Sequence, residues 1–187
     1  DTVEIGTKIK NFKAEMSGKD DFNLADYKGQ KIVIYFYPRD NTPGCTSEGE
    51  DFRDNYKSFE KKNTKIFGVS KDSLKSHENF KNKFNFPFEL ISDPDESLCK
   101  LFDVIKEKSM YGKKYLGIER STFLIDEKGK LIKEWRKVKV PGHAEEVLES
   151  IINLTILGCV VVSILLMLVI HNKVRSPILR LILMFLG

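Results

Sequence analysis

The sequence predicts an α/β protein with a mixed central sheet, helices on both faces of that sheet, and an apolar helical tail at the C-terminus. Three observations predict this fold class: a continuous apolar run at Lys31–Tyr37, the alternation of such runs with amphipathic segments, and a change of composition after Glu149. We expect one domain over about residues 1–152. Residues 153–187 then form a hydrophobic C-terminal extension.

The composition is typical of a globular protein of 187 residues, with 41% hydrophobic and 31% charged residues. The 31 basic and 27 acidic residues interleave, so we interpret them as solvated faces and expect no nucleic-acid partner. Three scattered cysteines do not make a disulfide framework, which favours a reducing compartment. The chain begins with Asp1 rather than Met, and Asp1–Asn11 does not resemble a signal peptide. We therefore expect a cytoplasmic domain.

The run Lys31–Tyr37 (KIVIYFY) lacks alternation, which predicts a strand buried on both faces that ends at Pro38. After it, Phe52, Tyr56 and Phe59 recur at the spacing i, i+4, i+7. This spacing predicts the inner stripe of an amphipathic helix that reaches roughly to Lys61.

The remaining elements are predicted from apolar spacing and from the turn residues that flank it. They are a strand at Thr64–Val69, a helix capped by Asp72 or Ser73 with Leu74, His77, Phe80 and Phe84 near one face, a strand at Phe88–Ile91, a short helix opened by Asp93-Pro94, a hairpin of Ser121–Ile125 with Lys130–Trp135, and a last helix from about His143.

The most informative segment is Pro38–Glu48, which leaves a buried strand, turns through Thr-Pro-Gly and enters a helix with Cys45 in its first turn. A helix N-terminus presents unpaired N–H groups and a partial positive charge, which favour a thiolate over a thiol. The thiolate is the nucleophilic form of cysteine. A buried structural cysteine in a Pro/Gly turn is the alternative, and the position at the helix start favours a reactive group.

Pro38, Thr42 and Cys45 match the signature Pro-x-x-x-Thr-x-x-Cys, and the chain resembles the peroxiredoxins. The string TPGCT with Glu48 is similar to the subgroup called peroxiredoxin Q or bacterioferritin comigratory protein. The segments KIVIYFYPRD, SDPDESLCKLFDV, ERSTFLIDEKGK and VPGHAEEVLES extend the resemblance to nearly all of residues 1–150. The resemblance implies a thioredoxin-like fold and a thiol-dependent peroxidase that reduces hydrogen peroxide and organic hydroperoxides through a cysteine sulfenic acid.

The resemblance also implies roles for five residues. Cys45 would be the peroxidatic nucleophile, Thr42 would place its hydroxyl against the peroxide, and Arg120 would be the active-site arginine. Pro38 would shield the pocket from water, and Glu48 would orient Arg120. These residue types suit the reaction, because attack on an O–O bond develops negative charge on the departing oxygen and needs donors already in place. Backbone N–H groups beside Cys45 could complete that cradle.

The sequence departs from many members of the subgroup because it lacks a second cysteine near the first. Glu50 stands five positions after Cys45, and the following helix carries Lys81 and no cysteine. We therefore expect a one-cysteine mechanism in which thioredoxin, glutaredoxin or glutathione attacks the sulfenic acid directly. Resolution by Cys99 after local unfolding is the alternative, and we interpret Cys99 as structural and Cys159 as a small hydrophobe.

No cofactor and no metal is expected. His77, His143 and His171 have no metal-ligand spacing, and we interpret them as helix-face or cap residues. The sequence contains no Gly-rich phosphate loop, haem motif or flavin fingerprint.

The segment Leu154–Ile170 is almost wholly apolar over seventeen residues, at the short end of what spans a bilayer. A helix that is apolar all round needs burial on every side, and the domain before it is already complete, so we favour a membrane segment over a core helix. Basic residues balance on its two sides and do not predict an orientation. A gene fusion or a shifted reading frame is an alternative origin for the tail.

Two other functions compete with the peroxidase. A disulfide oxidoreductase would need a Cys-x-x-Cys pair, and Thr42–Cys45 supplies one thiol. A membrane-tethered redox sensor or interaction module would use the same cysteine without turnover, and only the tail favours it. Relatives are often monomers, so we expect a monomeric domain.

Overall fold

The computed structural model describes residues 2–18, 20–110 and 112–175. A mixed five-stranded sheet lies at its centre, in the order β5-β4-β3-β8-β9. The strands are β1 (Lys13–Ala14), β2 (Phe22–Asn23), β3 (Lys31–Phe36), β4 (Thr64–Ser70), β5 (Glu89–Ser92), β6 (Ile105–Met110), β7 (Lys113–Ile118), β8 (Ser121–Ile125) and β9 (Leu131–Trp135). The helices are a 3₁₀ helix at Leu24–Tyr27, α1 (Pro43–Lys61), α2 (Leu74–Phe84), α3 (Ser97–Leu101) and α4 (His143–Arg175).

Strand β3 is the centre of the sheet. It pairs in parallel with β4 and antiparallel with β8, while β5 and β9 lie outside those two. Every residue of β3 after Lys31 is buried, as the uninterrupted apolar run predicts. The mixed sheet is confirmed, and so is the hairpin of β8 and β9.

Helices pack against both faces of the sheet. On one face, Tyr35 of β3 stacks on Phe52 of α1 with ring centroids 4.8 Å apart, and Tyr37 lies 6.2 Å from Phe80 of α2. On the other face, Phe36 lies 5.2 Å from Phe102, which directly follows α3. Successive residues of a strand point to opposite faces, so one strand serves both layers of the core.

The short helix α3 begins later than predicted. We expected Asp93-Pro94 to open it, whereas the helix starts at Ser97. Asp93 lies four positions before the helix, and its carboxylate accepts the backbone N–H groups of Leu98 at 3.0 Å and Cys99 at 2.8 Å. A carboxylate that takes the free N–H groups of a first turn fixes where a helix begins, and here it outweighs the preference of proline for that turn.

The chain divides into two compact units, residues 1–146 and 147–187. Helix α4 begins in the first unit and continues without interruption as the main element of the second. Its large apolar side chains from Leu154 to Ile170 are exposed. Among the described residues it is the one helix that is long and apolar enough to cross a membrane, with a mean hydropathy of 2.7 and 6% burial in its most apolar window. A second, ten-residue apolar run follows Ser176-Pro177 in the sequence, and it lies outside the described residues.

Candidate active site

The site forms where β3 ends and α1 begins. Pro38 follows the strand and is exposed, and Asn41 takes the left-handed conformation with φ of 58° to complete the turn. Thr42 is the N-cap residue of α1, with an extended backbone, and Pro43 occupies the first helical position. Cys45 is therefore the third residue of the helix, and it is 2% exposed. The predicted strand–loop–helix setting of the cysteine is present.

Arg120 reaches this loop from the neighbouring strand. The antiparallel pairing of β3 and β8 sets Phe36 opposite Ser121, so the residue before β8 lies beside the end of β3. From there the Arg120 Nη2 atom donates to the Cys45 Sγ atom at 3.3 Å, and its Nη1 atom donates to Glu48 Oε2. The sheet thus brings Cys45, Glu48 and Arg120 together, although Arg120 lies 75 positions after Cys45 in the sequence.

Burial sets the electrostatics of this cluster. It raises the pKa of Glu48 to about 7, although the charge and hydrogen bond of Arg120 act in the opposite direction. Burial by itself would lower the pKa of Arg120, but the charges of Glu48 and Cys45 outweigh it and raise that pKa. Arg120 therefore stays charged, and Glu48 is the member of the pair that titrates near neutrality.

The first turn of α1 supplies further donors. The Thr42 hydroxyl donates to the Arg39 carbonyl at 3.1 Å and does not cap the helix. No acceptor among the described residues takes the backbone N–H groups of Gly44 and Cys45. A Cβ atom at Gly44 would lie 3.4 Å from Arg120 Nη2, so glycine lets the guanidinium lie close to the helix start. The cationic donor Arg120 contacts the sulfur, and the neutral N–H donors lie in the same first turn of the helix.

Comparison with known proteins identifies this arrangement. The family model described as the AhpC/TSA family matches residues 5–134. The chain belongs to the AhpC/TSA family. Within it, peroxiredoxin Bcp of Xanthomonas campestris is 56% identical over 149 residues, 80% of this chain and 93% of that protein. Peroxiredoxin Bcp of Bacillus subtilis is 51% identical over 150 residues, 80% of this chain and 96% of that protein.

Solved structures agree on the subgroup. Peroxiredoxin Q of Xanthomonas campestris superposes with a TM-score of 0.72 at 54% identity, over 75% of this chain and 89% of that one. A cysteine-to-serine mutant of Xylella fastidiosa PrxQ gives 0.79 at 47% identity, over 83% and 99%. The chain is therefore a peroxiredoxin of the Q/Bcp subgroup with a thioredoxin-like fold, and it is a thiol-dependent peroxidase.

Two buried polar atoms of this peroxiredoxin have no hydrogen-bond partner within the described part of the chain, namely the Tyr35 hydroxyl and Glu48 Oε1. Burial raises the pKa of Tyr35 well above its ordinary value, and the charge of Glu48 adds to that shift. In the sequence, the position of Tyr35 in an apolar strand marks it only as a core residue. Its hydroxyl nevertheless belongs to the electrostatic surroundings of the site.

A buried polar network braces the loop before Cys45. The Asp40 carboxylate accepts from the Tyr37 hydroxyl and from the Ser76 hydroxyl, both at 2.7 Å, and lies 2.9 Å from Nδ1 of His77. The Nε2 atom of His77 faces the Ile91 carbonyl at 3.1 Å, so both ring nitrogens meet oxygen atoms. His77 lies on the inner face of α2, as expected of a helix-face residue, and it is fully buried against the loop. Only the tertiary fold reveals that it positions the loop.

Lys108 is a second cation near the reactive sulfur that the sequence analysis missed. It lies on β6 and its ammonium donates to the Ile118 carbonyl, two residues before Arg120. Burial lowers the pKa of Lys108, and the positive charge of Arg120 lowers it further, while the charge of Cys45 acts in the opposite direction. The Lys-rich β6–β7 hairpin offered no apolar alternation by which a strand could be predicted.

The other cysteines differ from Cys45 in their surroundings. All three are unpaired, and Cys99 lies on α3 with its side chain buried in the core. Burial raises the pKa of the Cys99 thiol, and the neighbouring Asp93 raises it further. A thiol in such a place is a poor nucleophile. Cys159 is exposed on the apolar part of α4.

The titration of Glu48 makes a testable contribution to stability. The folded state keeps this proton up to about pH 7, whereas an exposed glutamate loses it near 4.5. Raising the pH across that window therefore favours the unfolded state. We expect the unfolding free energy to fall by about 2–3 kcal/mol between pH 4.5 and 8, relative to Glu48→Gln.

The measurement is urea unfolding followed by the fluorescence of the single tryptophan, Trp135, in a Cys45→Ser background that prevents oxidation of this residue. The matched control is Glu60→Gln at an exposed position of α1. A stability difference between Glu48→Gln and its parent that does not change with pH would contradict the raised pKa.

Proposed function

We propose that this peroxiredoxin reduces hydrogen peroxide and organic hydroperoxides at Cys45 and is recycled by an external thiol. The observation that carries the proposal is the contact of Arg120 with both Cys45 and Glu48 at the start of α1. A guanidinium that already points at the sulfur stabilises the thiolate and any oxygen that approaches it. A related protein, the bacterioferritin comigratory protein of Xanthomonas campestris, is described as having alkyl peroxide reduction activity.

In the first step the Cys45 thiolate attacks one oxygen of the hydroperoxide. An S–O bond forms, the O–O bond breaks, and the second oxygen leaves as an alkoxide or hydroxide that takes a proton to become an alcohol or water. Sulfur is oxidised to the sulfenic acid and the peroxide is reduced. Negative charge moves from sulfur to the departing oxygen, so the donors of Arg120 and of the helix N-terminus serve both ends of the step.

In the second step an external thiol attacks the sulfenic sulfur, forms a mixed disulfide and releases water. A second thiol then displaces Cys45, which restores the reduced enzyme and yields a disulfide of the reductant. Thioredoxin, glutaredoxin and glutathione are the reductants we propose to test. Unpaired cysteines throughout the chain fit a cytoplasmic site, because thiol recycling needs a reducing compartment.

Three residues support this chemistry in the proposal. The Thr42 hydroxyl lies at the N-cap of α1, where it can turn from the Arg39 carbonyl to the peroxide. Glu48 orients the guanidinium of Arg120 through the Nη1 contact. Pro38 lies two residues after the end of β3, at the exposed entrance to the loop, where it would limit the access of water. The proposed active unit is a monomer, since every residue of the cluster comes from one chain.

Arg120 contacts Cys45 and Glu48 from two different nitrogens. We therefore expect that a positive charge alone at this position is insufficient for full activity. Lysine keeps the positive charge but cannot donate to Cys45 and Glu48 from two fixed nitrogens. We expect Arg120→Lys to lower kcat/KM for hydrogen peroxide about 100-fold. Arg53→Lys, at the surface of α1, serves as the control with unchanged activity. Wild-type kinetics in a folded Arg120→Lys enzyme would remove Arg120 from the mechanism.

The one-cysteine mechanism predicts opposite results for two matched variants. Cys45→Ser should abolish turnover with every reductant, because it removes the atom that is oxidised. Cys99→Ser should keep most of the activity, because that thiol is buried and its pKa is raised. The assay follows steady-state peroxide consumption with thioredoxin, glutaredoxin and glutathione supplied separately.

Each outcome of that assay has a definite meaning. Undiminished turnover in Cys45→Ser would refute the proposed chemistry, and a large loss in Cys99→Ser would make Cys99 the resolving residue. Oxidation of Cys45 without turnover by any of the three reductants would favour a sensor over a peroxidase.

We further propose that Leu154–Ile170 anchors the domain in a membrane. The support is the exposure of its large apolar side chains on all sides of α4, which water would disfavour. At about 1.5 Å per residue the segment is about 26 Å long, close to the thickness of a hydrocarbon core.

Carbonate extraction of membranes from expressing cells tests the anchor. We expect the full chain to remain in the membrane pellet at alkaline pH, because a spanning helix resists extraction that releases peripheral proteins. A variant with Leu157→Lys, Val161→Lys and Leu165→Lys should be released, since charges at the centre of a span are costly. Release of the unaltered chain would argue against a spanning segment.

A further inference from the structure

A groove lies at the end of the first unit opposite to the reactive cysteine. It has a volume of about 430 Å³ and is formed by residues 8–11, residues 24–28 and the turn at residues 126–129. Its floor reaches Ile32 at the start of β3, whereas Cys45 follows the end of that strand. Ile32 and Phe36 are four positions apart on the strand, about 13 Å, so the groove is distinct from the peroxide site.

Hydrogen bonds fix the walls of this groove. The Ile9 N–H donates to the Gly129 carbonyl at 2.9 Å, which joins the first segment to the turn. The Asn11 side chain accepts the Ala25 N–H at 2.9 Å, and the Leu24 N–H donates to the Phe12 carbonyl at 3.2 Å. Since the three segments are tied to one another, the groove is a formed feature of the fold.

The floor of the groove is mainly apolar. Ile9, Leu24 and Ile32 form it with little of their surface exposed, and the half-buried ring of Tyr27 forms one side. Binding of an apolar chain to such a floor is favourable, because it removes apolar surface from water. The volume lies toward the lower end of the range of about 300–1,000 Å³ for small-molecule pockets, which favours a single chain over a larger ligand.

The rim of the groove carries unbalanced positive charge. Lys8, Lys10, Lys28 and Lys128 surround it, and none of them forms an ion pair with a carboxylate in the described part of the chain. Asp126 is the one acidic residue of the lining, and its carboxylate already accepts the N–H groups of Lys128 and Lys130 at 2.9 and 2.8 Å. Among the lining residues, four cations against one anion leave a net charge of +3 around an apolar floor. Asp26 and Glu127 lie in the same segments but do not line the groove, and Glu127 is paired with Lys31.

We propose that this groove binds a free fatty acid of medium chain length. The alkyl chain covers the floor of Ile9, Leu24, Ile32 and Tyr27, and the carboxylate meets the ammonium groups of the rim. Charge complementarity selects an anion, and the apolar floor selects an anion with a chain. The site is separate from the chemistry at Cys45 and does not depend on it.

The test uses the full chain in nanodiscs of zwitterionic lipid, with empty nanodiscs as the reference. Methyl NMR of Ile9, Leu24 and Ile32 follows titration with dodecanoate below its micellar concentration. We expect saturable shifts of these three methyl signals. Dodecyltrimethylammonium carries the same chain with a positive charge, and butyrate carries the carboxylate without the chain. Both should shift the methyl signals only weakly.

Two variants test whether dodecanoate binds in this groove. Lys10→Glu with Lys28→Glu should weaken the apparent affinity for dodecanoate about tenfold, because it reverses two of the four rim charges. Lys57→Glu with Lys61→Glu, exposed on α1, makes the same change of net charge elsewhere and should leave the affinity unchanged. Ala25→Trp fills the groove from an exposed position and should abolish the shifts.

The following outcomes would overturn the proposal. Equal binding of the cationic amphiphile would mean that the rim does not select charge, and equal binding of butyrate would mean that the floor contributes nothing. Full dodecanoate binding by a folded Ala25→Trp chain would place the fatty acid elsewhere. Since partition into the nanodisc is common to all variants, differences among them report on the groove alone.

Discussion

One guanidinium holds the active site together. Arg120 donates to Cys45 Sγ from one nitrogen and to Glu48 from the other, and its rigid planar group allows both contacts in a single orientation. Its backbone is fixed as well, because the Arg120 carbonyl accepts the Val138 N–H at 2.9 Å. A buried charge without its partner is costly, so the Arg120 guanidinium depends on the atoms of Cys45 and Glu48 that it contacts. The protonation of Glu48 near pH 7 adjusts how much negative charge Arg120 must balance.

The sheet explains how this guanidinium reaches the helix start. The parallel strands β3, β4 and β5 all end at one edge, and their following loops meet there. Asp72, after β4, accepts the Asp40 N–H at 2.9 Å and the Ser70 hydroxyl at 2.7 Å, so one loop braces the next. Strand β8 runs the opposite way and therefore brings its first residues, preceded by Arg120, to the same edge. An all-parallel sheet would place the residue before β8 at the far end.

The sequence predicted those parts of the fold that leave a local pattern. The apolar run of β3, the i, i+4, i+7 stripe of Phe52, Tyr56 and Phe59, and the turn between β8 and β9 are such patterns, and each element lies where it was expected. The β6–β7 hairpin was missed because lysines occupy both of its strands. The contacts around Arg120 and His77 are long-range, so only the family resemblance pointed to the first, and nothing in the sequence pointed to the second.

The residue that stands where some relatives carry a second cysteine fits the one-cysteine proposal. Lys81 on α2 forms an ion pair with Glu89 of β5, and the same glutamate accepts the hydroxyl of Ser17. This lysine provides no thiol, and its ion pair ties the helix to the edge of the sheet. His77 ties the same helix to the carbonyl of Ile91 in that strand. With α2 held at two points and Cys99 enclosed in the core, these contacts support the proposal that an external thiol restores Cys45.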